Sequence, residues 1–133
     1  MINQFNLNKA LLDKLESIVT DDIAVHGNDF EPKPSQDYIA EKEAPTVVDT
    51  PLGKGTDRQQ GFYQVTICTP IAKKKFYHLG KVDSIMPQIT KGFSAEIELD
   101  GQKVSILKTT PSGMYSDDTH LKTALTIAYT VIA

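Results

Sequence analysis

Cysteine is nearly missing from this chain: Cys68 stands alone in 133 residues. That excludes an internal disulfide framework and any multi-cysteine zinc site, and it fits a reducing compartment. Long apolar runs are missing too. None approaches the ~20 residues that a membrane-spanning helix requires, so no membrane association is expected. The start, Met1-Ile2-Asn3-Gln4, lacks a basic region and a long apolar core, so no signal peptide is expected. Internal repeats and low-complexity tails are absent. A large excess of either charge is missing: 14 Lys and Arg stand against 17 Asp and Glu, a net charge of −3. Such a balance gives no general drive toward anionic lipid or nucleic acid, and no sequence-specific nucleic-acid binding is expected. What is present is ordinary for a folded domain, with 40% hydrophobic and 23% charged residues. The expectation is a single domain over 1–133, able to bury roughly two-thirds of its unfolded surface without disulfides or metals.

The pattern centres on Gln59 to Ile89. From Gly61 to Thr69 the side chains alternate, with Tyr63, Val65 and Ile67 on one face and Phe62, Gln64, Thr66 and Cys68 on the other. That is a strand with its better face on a core. Aromatic residues at both Phe62 and Tyr63 suggest that neither face of the sheet is fully wet. Pro70 has no N–H to give the ladder, so the strand ends there. The period then changes. Phe76, Leu79, Val82, Ile85, Met86 and Ile89 form one stripe of an α-helix. Pro87 is expected to kink or end that helix near Met86, with Gly92 as a stop.

Before this stretch, Leu7, Leu11, Leu15, Ile18 and Val19 predict a helix over about Leu7–Val19, with Leu12 at the edge of the stripe and Asn6 or Asn8 as its cap. Ile23–His26 and Tyr38–Glu43 read as two weaker strands. The Glu41-Lys42-Glu43 end of the second suggests an edge strand or a solvated face. About 44–60 reads as a long hairpin arm. After the second helix, Asp100-Gly101 between Ala95–Leu99 and Lys103–Leu107 is a strong hairpin signal. Thr109–Thr119 reads as a loop. The chain closes on its longest strand, in which Leu121, Thr123, Leu125, Ile127, Tyr129 and Val131 share a face. The fold class expected is α+β: a mixed, mainly antiparallel sheet with two helices packed on one face.

A search for chemistry finds little. His26, His78 and His120 have no second ligand at a metal-site spacing, so no metal and no cofactor are expected. Cys68 sits mid-strand without the basic neighbours or helix N-terminus that activate a thiol. Leu52-Gly53-Lys54-Gly55-Thr56 lacks the first glycine of a phosphate loop and runs into a strand, not a helix. Asp117 and Asp118 could form a cation site or a catalytic pair; adjacent carboxylates in a Ser/Gly loop more often serve solvation. Lys73-Lys74-Lys75 at the start of the second helix opposes the macrodipole. It reads either as a solvated turn or as a docking patch for an acidic surface.

The order of elements resembles the tail terminators of long-tailed phages. The resemblance spans nearly the whole chain. It rests on the leucine-rich first helix, the Phe30-Glu31-Pro32 run and the strand start Arg58-Gln59-Gln60-Gly61-Phe62-Tyr63-Gln64-Val65. It rests also on an apolar strand ending Thr69-Pro70 that leads into a helix carrying Pro87, and on a terminal strand. The resemblance implies a structural virion protein and no enzyme. Such proteins form a ring, typically a hexamer, that caps the tail tube, ends its polymerisation and offers a surface for head joining. The implied partners are further copies of the chain, the tail tube protein and a head-completion or connector protein. The implied location is the head-proximal end of the virion tail, assembled in the host cytoplasm. Candidate interface residues are Leu52, Lys54, Asp57 and Arg58 on the arm and Lys73, Lys74 and Lys75 at the helix start. Another tail or neck component, or a small ligand-binding domain or enzyme using the Pro111–Asp118 loop, is the alternative.

Overall fold

A computed structural model of the chain describes residues 4–19, 23–26, 35–43, 47–53, 56–93, 96–99 and 102–132. Its elements are α1 (Gln4–Ile18), β1 (Ala24–His26), β2 (Tyr38–Glu43), β3 (Val47–Gly53), β4 (Thr56–Pro70), a 3-10 turn (Ile71–Lys73), α2 (Lys74–Gly92), β5 (Glu96–Leu99), β6 (Gln102–Pro111), β7 (Tyr115–Ser116) and β8 (His120–Ile132). One eight-stranded sheet runs in the order β1-β2-β4-β8-β6-β5, with β3 added to β4 and β7 to β8. Every pairing is antiparallel except β1 with β2. The α+β class and the mainly antiparallel sheet are therefore as the sequence predicts.

The centre of the sheet is the β4–β8 ladder, continuous from Arg58↔Ile132 to Pro70↔His120. Its register decides the core. Val65 stands opposite Leu125, Tyr63 opposite Ile127 and Gly61 opposite Tyr129. The alternating apolar set of each strand thus falls on one face, where Tyr63, Val65, Ile67, Leu125, Ile127, Tyr129 and Val131 are all buried. Leu11 and Leu15 of α1 and Ile85, Ile89 and Phe93 at the distal part of α2 close over them. Tyr63 and Phe93 meet with ring centroids 5.9 Å apart. The helices approach each other closely at Gly92, where a Cβ would lie 2.5 Å from Ile18 Cδ1. Gly92 is therefore a contact point between helices as well as the end of one.

Five expectations are corrected. The stripe of α2 is turned at its start: Phe76 is 85% exposed and Leu79 is exposed, while the polar His78 is buried. Only from Val82 onward does the predicted face meet the core. The reason is geometric: the face of α2 that meets the sheet runs through His78, Val82, Ile85 and Ile89, with His78 set against Thr69 and Thr123, so Phe76 and Leu79 fall to one side of it. Pro87 does not end the helix, which continues to Gly92. Pro87 is exposed, so the carbonyl that loses its donor is on the side open to water. Glu41 is buried, because pairing with Val65 puts it on the covered face. Asn6 and Asn8 lie inside α1, which starts earlier than predicted. Lastly, Thr109–Thr119 is not simply a loop: β6 extends to Pro111 and β7 forms at Tyr115–Ser116. The Asp100-Gly101 turn lies outside the described residues, but Leu99 pairs with Gln102 across it.

Candidate functional site

The chain leaves β4 at Pro70 and must reverse to lie across the sheet. The Ile71 N–H donates to Thr119 O at 3.0 Å, which ties the exit of β4 to the start of β8. A single 3-10 turn follows, and the next residue, Lys74, has φ 68° and ψ 176°. Among the described residues it is the one non-glycine with positive φ. This region of backbone space is nearly reserved for glycine, and other residues held there cost of order 1–3 kcal/mol. We expect Lys74→Gly to stabilise the fold by about 1 kcal/mol after allowing for the extra freedom of glycine in the unfolded chain. That corresponds to a rise in Tm of roughly 3–5 °C for a domain of this size. A melt in which Tm falls would show that Lys74 is not strained.

The three lysines do different things. Lys73 Nζ donates to Tyr77 Oη at 3.3 Å and lies 4.5 Å from the centre of that ring. It is also 3.9 Å from Asp37, just before β2. Lys81 reaches the same carboxylate at 3.9 Å from the other side. Tyr77 Oη donates to Asp37 between them. The hydrogen bond to Tyr77, more than the Asp37 charge, raises the Lys73 pKa above its ordinary value. Lys73 therefore helps fasten the start of α2 to β2. Lys74 and Lys75 are exposed, and no ion pair holds either among the described residues.

Beside these cations lie the exposed apolar side chains of Ile71, Phe76 and Leu79. Phe76, Tyr77, Gly80, Lys81 and Ser84 line an open groove on the outer side of α2. Gly80 costs a helix interior about 1 kcal/mol relative to alanine. A Cβ there would meet nothing within 4 Å, so no close packing requires the glycine.

The arm residues are elsewhere. Leu52 lies in β3, Asp57 and Arg58 begin β4, and Lys54 is outside the described residues. Pro51 pairs with Asp57, and Arg58 with Ile132. At ~3.3 Å per residue, the length of β4 separates this hairpin from the lysine turn by up to roughly 40 Å. The two groups of candidate residues are thus not one site but opposite ends of one strand.

The polar groups singled out for chemistry are largely occupied by the fold. His78 lies between two threonine hydroxyls, with Nδ1 2.8 Å from Thr69 Oγ1 and Nε2 2.7 Å from Thr123 Oγ1. Burial pushes its pKa below the ordinary histidine value. His120 Nε2 is 2.9 Å from Gln36 O, and its ring stands edge-on to Tyr38 at 5.0 Å. Asp117 accepts from the N–H groups of Thr119 and His120, each at 2.8 Å, and pairs with Lys122 at 2.8 Å. Partial burial alone would raise this carboxyl; the Lys122 ammonium and the two N–H donors outweigh it and hold the pKa well below the usual range. Asp117 thus shapes the turn into β8. Cys68 is fully buried, and burial raises its thiol pKa. No group of three or more metal-ligating side chains comes together among the described residues. No helix among them is long and apolar enough to cross a membrane.

No family model matches this chain, and no curated protein matches it. Twenty-five chains of known structure do match. One of them, whose name carries no functional description, superposes with a TM-score of 0.64 at 14% identity, covering 98% of this chain and 96% of its own. At that identity the likeness extends to the fold alone, and it includes nearly the full length of both chains.

Proposed function

We propose that this protein is a structural component of a long-tailed phage: a tail terminator that assembles as a ring, typically of six copies, caps the tail tube and offers a surface for head joining. One observation carries the reading beyond the resemblance in sequence. Besides Met114 and Tyr115, the exposed large apolar side chains stand in two separate places. Ile71, Phe76 and Leu79 lie at the start of α2 on the helical side. Phe62 is 56% exposed on the face of β4 away from the helices, near Leu107, which is 59% exposed at the bulge in β6. The register supports that proximity: Phe62 pairs with Ala128, which pairs with Lys108, next to Leu107. A subunit of a closed ring that also stacks on a tube must present different surfaces to different neighbours. Two solvent-facing apolar patches, without a metal cluster among the described residues, suit such a role.

The purified chain is expected to form a ring-shaped particle, seen by light scattering after gel filtration and by negative-stain imaging. It is also expected to restore head-joined tails of normal length to a phage lacking its terminator. A protein that stays monomeric at high concentration and fails this complementation would overturn the reading. A small-molecule or metal ligand bound at the Pro111–Asp118 loop would then favour the alternative.

A further inference from the structure

We propose that the start of α2 docks onto the β5 edge of a second copy of this chain, with Lys74, Lys75 and Phe76 of one copy meeting Glu96 and Glu98 of the next. The inference rests on the ring reading and gives that ring its subunit contact. The start of α2 concentrates features that disfavour the isolated fold. Lys74 holds a backbone conformation suited to glycine. Lys74 and Lys75 place ammonium groups at the positive end of a helix. Phe76 leaves its ring almost wholly in water. Gly80 weakens the helix where a side chain would have room. Among the described residues nothing within the chain compensates these. The two ammonium groups and the exposed ring would be offset by an acidic surface that also shelters an aromatic ring.

This chain carries exposed carboxylates at its opposite flank. β5 is the last strand in the sheet order, so its outer edge has no partner strand among the described residues. Glu96 and Glu98 are both exposed there, and their spacing of two puts them on one face of the strand. Lys103 of β6 lies 4.0 Å from Glu96, but both side chains are well exposed, and such a pair holds weakly in water. An unpaired edge also offers backbone N–H and C=O groups to an approaching chain. The two surfaces lie at different flanks of the sheet. Tyr77 and Lys73 fasten the start of α2 to Asp37, beside β2, whereas β5 lies beyond β8 and β6 on the other side of β4. A two-fold contact centred on the start of α2 would bring the lysines of both copies together. A heterologous contact brings them to the glutamates instead, and repetition about an axis closes a ring.

Charge reversal tests this. The variants Lys74→Glu with Lys75→Glu, and Glu96→Lys with Glu98→Lys, are each expected to remain folded but to elute as monomers at physiological salt. Carrying all four changes in one chain should restore the ring. So should mixing the two half-reversed chains, each of which supplies the surface that the other needs. Phe76→Ala, at a site with no packing role in the subunit, should weaken assembly at least tenfold. Half-reversed chains or a Phe76→Ala chain that form rings as the natural protein does would overturn the contact while leaving the ring reading intact. A folded four-fold variant that stays monomeric would overturn it too. A natural chain that forms no ring would overturn both.

Discussion

Leu125→Asp is expected to leave the protein unfolded at room temperature, whereas Thr126→Asp, one residue away, is expected to leave a folded subunit. Leu125 is 2% exposed and stands in the middle strand of the sheet, between Val65 of β4 and Pro111 of β6. A carboxylate there would be buried among apolar side chains with no cation beside it. Breaking a core in this way costs upward of ~4–5 kcal/mol. A domain of this size has about 5–15 kcal/mol in total. Val65→Asp should behave in the same way from the facing strand. Thr126 points to the other face, opposite Gln64 and Thr110, and is only half-buried. A new charge there keeps most of its water. Circular dichroism melts would separate the two cases. Equal melting of Leu125→Asp and Thr126→Asp would mean that the β4–β8 register is displaced by one residue, since such a slip exchanges the faces.

His78→Leu is expected to destabilise the protein by about 2–5 kcal/mol at neutral pH, and at the same time to make its stability less sensitive to mild acid. The first effect follows from the two hydroxyls that the ring joins. Thr69 and Thr123 are both buried, and each would lose a hydrogen-bond partner, at roughly 1–3 kcal/mol apiece. Changing both threonines to valine in the same chain should recover most of the loss, because removing every member of a polar cluster leaves nothing unsatisfied. The second effect follows from the lowered pKa of His78. Above about pH 6.5 the imidazole is neutral in both folded and unfolded chains, and its contribution is complete. As pH falls below that value the unfolded chain takes up a proton that the native chain does not. Stability then drops by about 1.4 kcal/mol per pH unit until the native ring also titrates. Asp117 adds to acid lability lower down, because its pKa is depressed in the folded chain and its contribution is lost as pH falls below the ordinary carboxylate range. Denaturant titrations between pH 5 and 7 would show the histidine effect. An unchanged slope in His78→Leu would assign the acid sensitivity to other groups.

The elements were legible wherever a side chain's partner was fixed by its own strand or helix. The period of two in Tyr63, Val65 and Ile67, and in Leu125, Ile127, Tyr129 and Val131, marked both central strands and the face that each buries, and the sheet pairs those sets directly. The later turns of α2 were legible for the same reason. What the pattern could not report was which face the first turns of α2 present to the sheet. Phe76 and Leu79 recur at helical spacing with Ile85 and Ile89, yet the face that meets the sheet runs through His78 in their place and leaves them in water. His78 carries no signal of burial in the sequence; Thr69 and Thr123, distant along the chain, create its place. Equally, three consecutive lysines look alike until Tyr77 and Asp37 engage one of them and leave two exposed.

By itself the sequence determined the α+β class and the two long central strands with their buried faces. Those are consequences of local periodicity and composition, which do not depend on what lies across the molecule. Only the tertiary structure decided that the hairpin arm and the lysine turn stand at opposite ends of β4, and that Glu41 is buried. It alone placed the acidic β5 edge and the basic start of α2 on opposite flanks. Each of these depends on which strands neighbour one another and in what register. That is a choice among long-range pairings, and it carries no trace in the spacing of residues along a single element.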